Sequence, residues 1–162
     1  MPKKVSSNEV FEMALQIEQM GYDFYKTMAH NATNVQLRDG YNQLAQEEKK
    51  HIVSFEQLRH SIERIDISRI NNWDEISLYF KALIDTKVLP TSPERNMLVQ
   101  ELKDEVGAIH ISISFEKDTI LFLQELNRWV NPDIQKIIEQ LIEEEKNHIL
   151  KLLQMKRTIV QS

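Results

Sequence analysis

The sequence predicts an all-α fold, a four-helix bundle made of two helix-turn-helix repeats joined by a long crossover that contains a short helix. Three observations carry this. The 162 residues include only three glycines and four prolines, while Leu, Ile, Glu, Gln and Lys are abundant, which favours long helices over sheet. Apolar residues recur at alternating steps of three and four, the spacing of one helical face. Polar or breaker-rich stretches fall at residues 31–34, 66–93 and 131–133 and punctuate the pattern.

Each element follows from its start and stop signals. Ser6 followed by Glu9 is a capping box that opens a first helix from about residue 8 to His30, before the turn Asn31-Ala32-Thr33-Asn34. Asn34 caps a second helix reaching about Arg64. Within the connection 66–93, the apolar-periodic segment from Trp73 to about Thr86 is expected to form the crossover helix, followed by Leu89-Pro90-Thr91-Ser92-Pro93. Ser92-Pro93-Glu94 starts a third long helix, with Gly107 leaving open a break, and Asn131-Pro132-Asp133 starts the fourth. The chain 1–162 is thus expected to be one domain, with helix pairs at 8–64 and 94–160 around a crossover at 65–93. Helix, short turn, helix, long crossover, helix, short turn, helix is the ferritin-like variant of the bundle.

Composition narrows the function. The formal charge is -5 with both signs interspersed, so no basic field is present to collect nucleic acid or an anionic membrane. No run approaches the ~18 apolar residues of a membrane span, and Met1-Pro2-Lys3-Lys4 begins nothing like a signal peptide. A cytoplasmic protein is expected. There is no cysteine, so disulfides, thiolate chemistry and cysteine-bound iron are excluded, and any metal must take oxygen and imidazole nitrogen.

The two helix pairs repeat each other. The second helix carries Leu37, Tyr41, Leu44, Glu48, His51, Phe55, Leu58 and Ile62 along one seam, and the fourth carries Ile134, Ile138, Leu141, Glu145, His148, Leu152, Met155 and Ile159 at an offset of 97. In the first and third, Phe11, Ala14, Glu18, Gly21, Tyr25 and Met28 match Ile109, Ser112, Glu116, Thr119, Leu123 and Leu126 at an offset of 98. Every seam is mostly apolar, yet each of the first and third has one Glu and each of the second and fourth one Glu and one His, at about the same level. These six side chains should converge in the core.

Buried carboxylates and imidazoles without partners cost several kcal/mol each, on the order of the penalty for any uncompensated buried charge. A dinuclear cation removes that cost, since four carboxylates balance two divalent ions. One Glu from each of two helices plus Glu-x-x-His from each of the other two is a known two-metal arrangement in bundles. Glu18, Glu48, His51, Glu116, Glu145 and His148 are the candidate ligands. The competing reading, that the six are solvent-facing charges, requires them to leave the seams. Manganese suits these hard ligands as iron does.

Glu18 in Ala14-Leu-Gln-Ile-Glu-Gln-Met-Gly-Tyr-Asp-Phe-Tyr25, Leu44-Ala-Gln-Glu-Glu-Lys-Lys-His51, Phe115-Glu-Lys-Asp118 and Glu143-Glu-Glu-Lys-Asn-His148 resemble the rubrerythrin-type branch of the ferritin-like superfamily. The resemblance covers almost all of both helix pairs. It implies a di-iron centre that reduces hydrogen peroxide or dioxygen with electrons from an iron protein. Because the chain lacks cysteine and a rubredoxin module, the expected donor is a separate rubredoxin-type protein. Rubrerythrins add a further Glu one turn from the third-helix ligand, where this chain has Ser112, Ile113, Thr119 and Ile120. That leaves a set of four Glu and two His, more like bacterioferritin.

Several neighbours are candidates for supporting roles. Tyr25, two turns from Glu18, is the candidate catalytic side chain, its hydroxyl placed to bond and orient a ligand carboxylate; a half-buried core tyrosine is the alternative. Gly21 either leaves room for a small oxidant or permits close helix packing. Glu47 and Glu144 stand four residues before His51 and His148 and one residue off the seam; each could pair with the histidine of its own helix, but solvated or supporting positions are expected for both. His30, His60 and His110 fall outside the seams and are assigned no role.

The expected function is therefore a redox enzyme acting on peroxide or dioxygen at a site holding two iron ions, in a homodimer. An iron-storing ferroxidase and a non-catalytic metal-binding bundle are the alternatives.

Overall fold

A computed structural model describes residues 6–60, 70–86 and 104–161. Five helices are present among them: α1 Ser7–Asn31, α2 Val35–Arg59, α3 Trp73–Asp85, α4 Glu105–Asn127 and α5 Pro132–Gln161. The fold is all-helical, and α1, α2, α4 and α5 form the expected four-helix bundle, with α1 packed mainly on α2 and α4 mainly on α5.

The helix starts obey the capping rules. Ser6 Oγ accepts the Glu9 N–H at 3.2 Å while Glu9 Oε2 accepts the Ser6 N–H at 2.7 Å, a complete capping box. Asn34 Oδ1 takes the Gln36 and Leu37 N–H groups at 2.9 and 3.2 Å. Asn131 Oδ1 accepts from Ile134 N at 3.0 Å, with Pro132 at the first helical position, where its missing N–H costs nothing.

One boundary differs in detail from expectation and another lies outside the described residues. Helix α2 closes at Arg59, where the His60 N–H turns back to the carbonyls of Gln57 and Leu58; residues 61–64, and with them the seam position Ile62, lie outside the described residues. The start expected at Ser92-Pro93-Glu94 lies outside them too. The described part of the third bundle helix, α4, begins at an N-cap on Asp104, whose carboxylate accepts from Val106 N at 3.1 Å and Gly107 N at 3.3 Å. The helix continues through Gly107 without a break.

Helix α3 packs on α4 and α1, burying Trp73, Ile76 and Phe80, with the Phe80 ring edge-on to Phe122 at 5.3 Å. The core runs the length of the bundle. Phe11, Phe24, Phe55, Phe115, Phe122, Leu44, Ile109 and Leu123 are all shielded from solvent, and burying side chains of this size contributes roughly 1.5–3 kcal/mol each. Midway along it, the apolar packing gives way to a polar layer.

Candidate metal centre

Each of the six seam residues is at most 2% exposed: Glu18 on α1, Glu48 and His51 on α2, Glu116 on α4, Glu145 and His148 on α5. The solvent-facing reading of these charges is overturned. They gather into two groups, each able to hold one metal ion: Glu18, Glu48, His51 and Glu145, and Glu48, Glu116, Glu145 and His148. Within a group the ligand atoms all lie within 4.8 Å of one another.

Glu48 and Glu145 belong to both groups, and their oxygens are divided between them. Glu145 Oε1 lies 2.9 Å from His51 Nδ1 and Oε2 lies 2.8 Å from His148 Nδ1. Glu48 Oε2 lies 3.9 Å from His51 Nδ1 and Oε1 lies 3.1 Å from His148 Nδ1. Glu18 and Glu116 are the outlying members, at 3.2 and 3.5 Å from the Nδ1 atoms of His51 and His148 respectively. The two imidazoles lie nearly parallel, 5.4 Å apart.

These short separations leave much of the hydrogen-bonding capacity unused. Glu18 Oε1, both oxygens of Glu48, Glu116 Oε2, both oxygens of Glu145 and His148 Nδ1 are buried without a hydrogen-bond partner. Orphaned polar atoms are rare in folded proteins and expensive. Seven in one place, all of them lone-pair donors suited to a hard cation, fit a pair of divalent ions bound between the helices. The four carboxylates match the charge of two such ions with both imidazoles neutral.

The electrostatics of the metal-free chain show what the ions would displace. Burial, and then the charge of Glu145, pushes Glu116 up to about 8 and raises Glu48 well above the usual carboxylate range; Glu18 is raised for the same reasons. Burial would raise Glu145 as well, but the imidazoles of His148 and His51 outweigh it and hold this carboxyl low. His51, which burial alone would make less basic, is pushed up to about 12 by Glu145 and Glu18. His148 is raised likewise by Glu116, Glu145, Glu47 and Glu48. Protons thus stand in for the missing positive charge.

Outside the six, four side chains complete the site. The Tyr25 hydroxyl, fully buried, donates to Glu116 Oε1. Tyr25 is therefore not a half-buried core residue; it holds a carboxylate of the second helix pair, and burial followed by the charge of Glu116 raises its own ionisation well above the usual tyrosine value, which keeps it a donor. Glu47 and Glu144 pair with the histidine of the opposite helix: Glu144 Oε2 lies 2.8 Å from His51 Nε2, and Glu47 Oε2 lies 3.1 Å from His148 Nε2. An N–H at Nε2 directed to these outer carboxylates leaves the Nδ1 lone pair facing the cluster. Lys151 Nζ holds both oxygens of Glu47, at 2.8 and 3.0 Å. Contact with His148, assisted by Lys151 and against partial burial, holds Glu47 down to about 2.

Gly21 proves to be a packing residue. A Cβ there would come within 2.8 Å of Phe115 Cε1 and 3.0 Å of Glu48 Oε2, so the space beside the cluster is filled by a ring and a ligand carboxylate and leaves no room for an oxidant path at this point. His30, His60 and His110 are exposed, as expected, His110 Nε2 lying 2.8 Å from Lys156 Nζ. The pairing of Glu47 and Glu144 across helices, and the part of Lys151, could not be read from seam spacing, which reports only on one helix at a time.

Among the described residues, no helix is long and apolar enough to cross a membrane. No curated protein matches the chain. A solved structure described as a ferritin-like diiron-carboxylate protein from Thermotoga maritima is similar to it over 96% of this chain and 95% of that one, with a TM-score of 0.67 and 25% identity. The sequence profile of the rubrerythrin family matches residues 9–156, a span that contains all six members of the cluster. The fold, the buried Glu and His layer and this match agree, and the chain belongs to the rubrerythrin family.

Proposed function

We propose that this protein is a di-iron redox enzyme that reduces hydrogen peroxide or dioxygen with electrons from an external donor. The observation that carries the reading is the pair of overlapping four-residue groups, sharing Glu48 and Glu145, with most of their buried carboxylate oxygens free of hydrogen bonds. Glu18, Glu48, His51, Glu116, Glu145 and His148 would hold the ions, with Glu48 and Glu145 common to both. Iron bound there would supply two adjacent one-electron couples, and these two electrons, with two protons taken from solvent, balance the conversion of one hydrogen peroxide to two waters.

The chain's own contribution is arrangement. Glu144 and Glu47 fix the rotation of the two imidazoles through Nε2, so that Nδ1 faces the cluster. Tyr25 acts as a positioning residue, turning Glu116 by its hydroxyl. The apolar layers around Phe24, Phe115 and Phe122 exclude bulk water and strengthen every charge interaction within. A separate iron protein is the proposed electron source, and a cytoplasmic homodimer the proposed assembly. The four-Glu, two-His composition resembles that of bacterioferritin and also supports an iron-oxidising role in storage; a dimer by size-exclusion chromatography would count against a self-formed shell.

Elemental analysis of protein grown with iron should find two iron ions per chain. Stopped-flow mixing of the reduced, iron-loaded protein with peroxide should then oxidise the iron much faster than free ferrous ion. Oxidation at the rate of free ferrous ion would overturn the enzymatic reading, and manganese in place of iron would reassign the metal.

A further inference from the structure

The two halves of the cluster are built from repeated residues but are not surrounded alike. On the half bounded by Glu116 and His148, the outer carboxylate Glu47 is bound at both oxygens by Lys151. On the half bounded by Glu18 and His51, the outer carboxylate Glu144 pairs with no lysine or arginine among the described residues. Besides His51 Nε2 at 2.8 Å, its partner among the described residues is Gln140 Nε2, which donates to it at 3.0 Å, and its side chain is 41% exposed, against 28% for Glu47. Gln43 stands to Glu47 as Gln140 does to Glu144, so the glutamines do not distinguish the halves. Lysine does: the repeat position of Lys151 is Ser54, whose hydroxyl turns back to the Lys50 carbonyl.

A second difference falls on the same side. Glu116 Oε1 already accepts a hydrogen bond from Tyr25, whereas the repeat position of Tyr25 is Leu123, which offers Glu18 no hydroxyl; each of the two carboxylates keeps one oxygen without a hydrogen-bond partner. A carboxylate that accepts from the far nitrogen of a ligating histidine makes that imidazole a better ligand, and a cation seated on the carboxylate weakens the effect. Lys151 also repels a nearby divalent ion directly.

We infer that the position bounded by Glu18 and His51 binds a divalent cation more tightly than the position bounded by Glu116 and His148, and that Lys151 sets the difference. The inference rests on the two-ion reading of the cluster given above. It assigns an order to loading: the first ion settles between Glu18 and His51 and the second beside His148, which is also the position that empties first. Coulomb's law for a divalent ion and a partly solvated ammonium gives an effect of about five- to tenfold in affinity.

The test is titration of the metal-free full chain with Co(II) at neutral pH, followed by calorimetry and visible absorbance. The native protein should bind two ions in two resolved steps. Lys151→Met should tighten the second step about five- to tenfold and leave the first within about twofold, Lys151→Arg should retain the native pattern, and Glu144→Gln should weaken the first step alone. Lys151→Gln is a second neutral variant that reads the same quantity if the methionine disturbs folding. Two ions bound with statistically equal constants, or Lys151→Met shifting both steps by one factor, would overturn the inequivalence while leaving the two-ion reading intact. Fewer than two Co(II) per chain would overturn the two-ion reading itself.

Discussion

Glu18, Glu48 and His51 of the first helix pair repeat as Glu116, Glu145 and His148 of the second, whereas Gly21, Tyr25 and Ser54 repeat as Thr119, Leu123 and Lys151. The members of the first set face the centre of the cluster and the members of the second surround it. A pair of like cations would ask the same of both halves, which accounts for the repeat persisting at the positions that would touch it. Around it the outer carboxylates Glu47 and Glu144 still repeat, but at Gly21, Tyr25 and Ser54 each half solves its own packing and charge problem, and the repeat has lapsed.

The severest way to break the comparison is to remove the two shared carboxylates one at a time. Glu48→Gln and Glu145→Gln should each reduce bound metal from two ions to at most one per chain, measured by elemental analysis. At metal a hundredfold above its dissociation constant, the lost stabilisation is about 2.7 kcal/mol for each site emptied. In the metal-free state the two should part company. Glu48 is raised by burial and by Glu145, so its replacement spares the folded protein a cost and should raise the melting temperature. Glu145 is held low by both imidazoles, so its replacement leaves them without their closest anion and should lower it. Equal shifts of the same sign would show that the two helix pairs are electrostatically equivalent after all.

The next test varies pH. In the metal-free protein Glu116 is pushed up to about 8 and His51 up to about 12. The folded state therefore keeps protons that the unfolded chain releases, on Glu116 above its ordinary carboxylate range and on His51 above its ordinary imidazole range. The stability each contributes is full at low pH and is lost as pH rises through the folded value. The melting temperature of the metal-free protein should fall steadily between about pH 5 and pH 9. Glu145 and Glu47 are shifted downward, so the stability they contribute is lost only in acid, below this window. Metal displaces the same protons, so its affinity rises with pH, and the metal-loaded protein should show a flat or rising profile across the window. A metal-free profile that rises would mean the carboxylates are ionised without metal.

Much of this was legible in the sequence, and the residues show why. Ser6, Asn34 and Asn131 cap helices by local hydrogen bonds that a few neighbouring residues determine. The six cluster residues are legible because a polar group in an apolar seam violates the burial pattern, and the repeat marks the violation twice. Which carboxylates are shared is a matter of how α2 and α5 meet. Periodicity along one helix carries no information on that, and so it also suggested own-helix partners for Glu47 and Glu144, whose histidines lie on the opposite helix. Gly21 was ambiguous for the same reason, since Phe115 comes from α4.

Gly21 and its repeat partner Thr119 offer a smaller test of the same comparison. Alanine at 21 would gain about 1 kcal/mol in helix propensity, but its methyl would collide with the Phe115 ring and Glu48 Oε2, and overpacking of this kind costs about 1–3 kcal/mol. Gly21→Ala should therefore lower stability on balance and weaken metal binding, since the displaced oxygen belongs to a shared carboxylate. Thr119→Ala removes a hydroxyl that only turns back to the Phe115 carbonyl, and should leave metal stoichiometry at the native value. Calorimetric titration of both variants decides it, and unchanged affinity in Gly21→Ala would show that Glu48 has slack the structure does not suggest.

The smallest effect is expected at Gly107, in the first turn of α4, and there the sign reverses. No described glycine has a positive φ, so alanine fits its backbone, and a Cβ at 107 would meet nothing closer than Asp104 Oδ2 at 3.6 Å, an ordinary contact. The N–H that Gly107 donates to the Asp104 cap is kept. Substitution then acts chiefly by reducing the freedom of the unfolded chain, worth about 0.4–1 kcal/mol, which for a chain of this size raises the melting temperature by about 1–4 °C. Metal binding should not change, because Gly107 lies more than two turns from Glu116 along α4. A thermal melt that shows Gly107→Ala destabilised would mean that the start of α4 is shaped by contacts other than its cap. A melt that shows it stabilised would set Gly107, tolerant of a methyl, against Gly21, which the shared carboxylate does not allow to change.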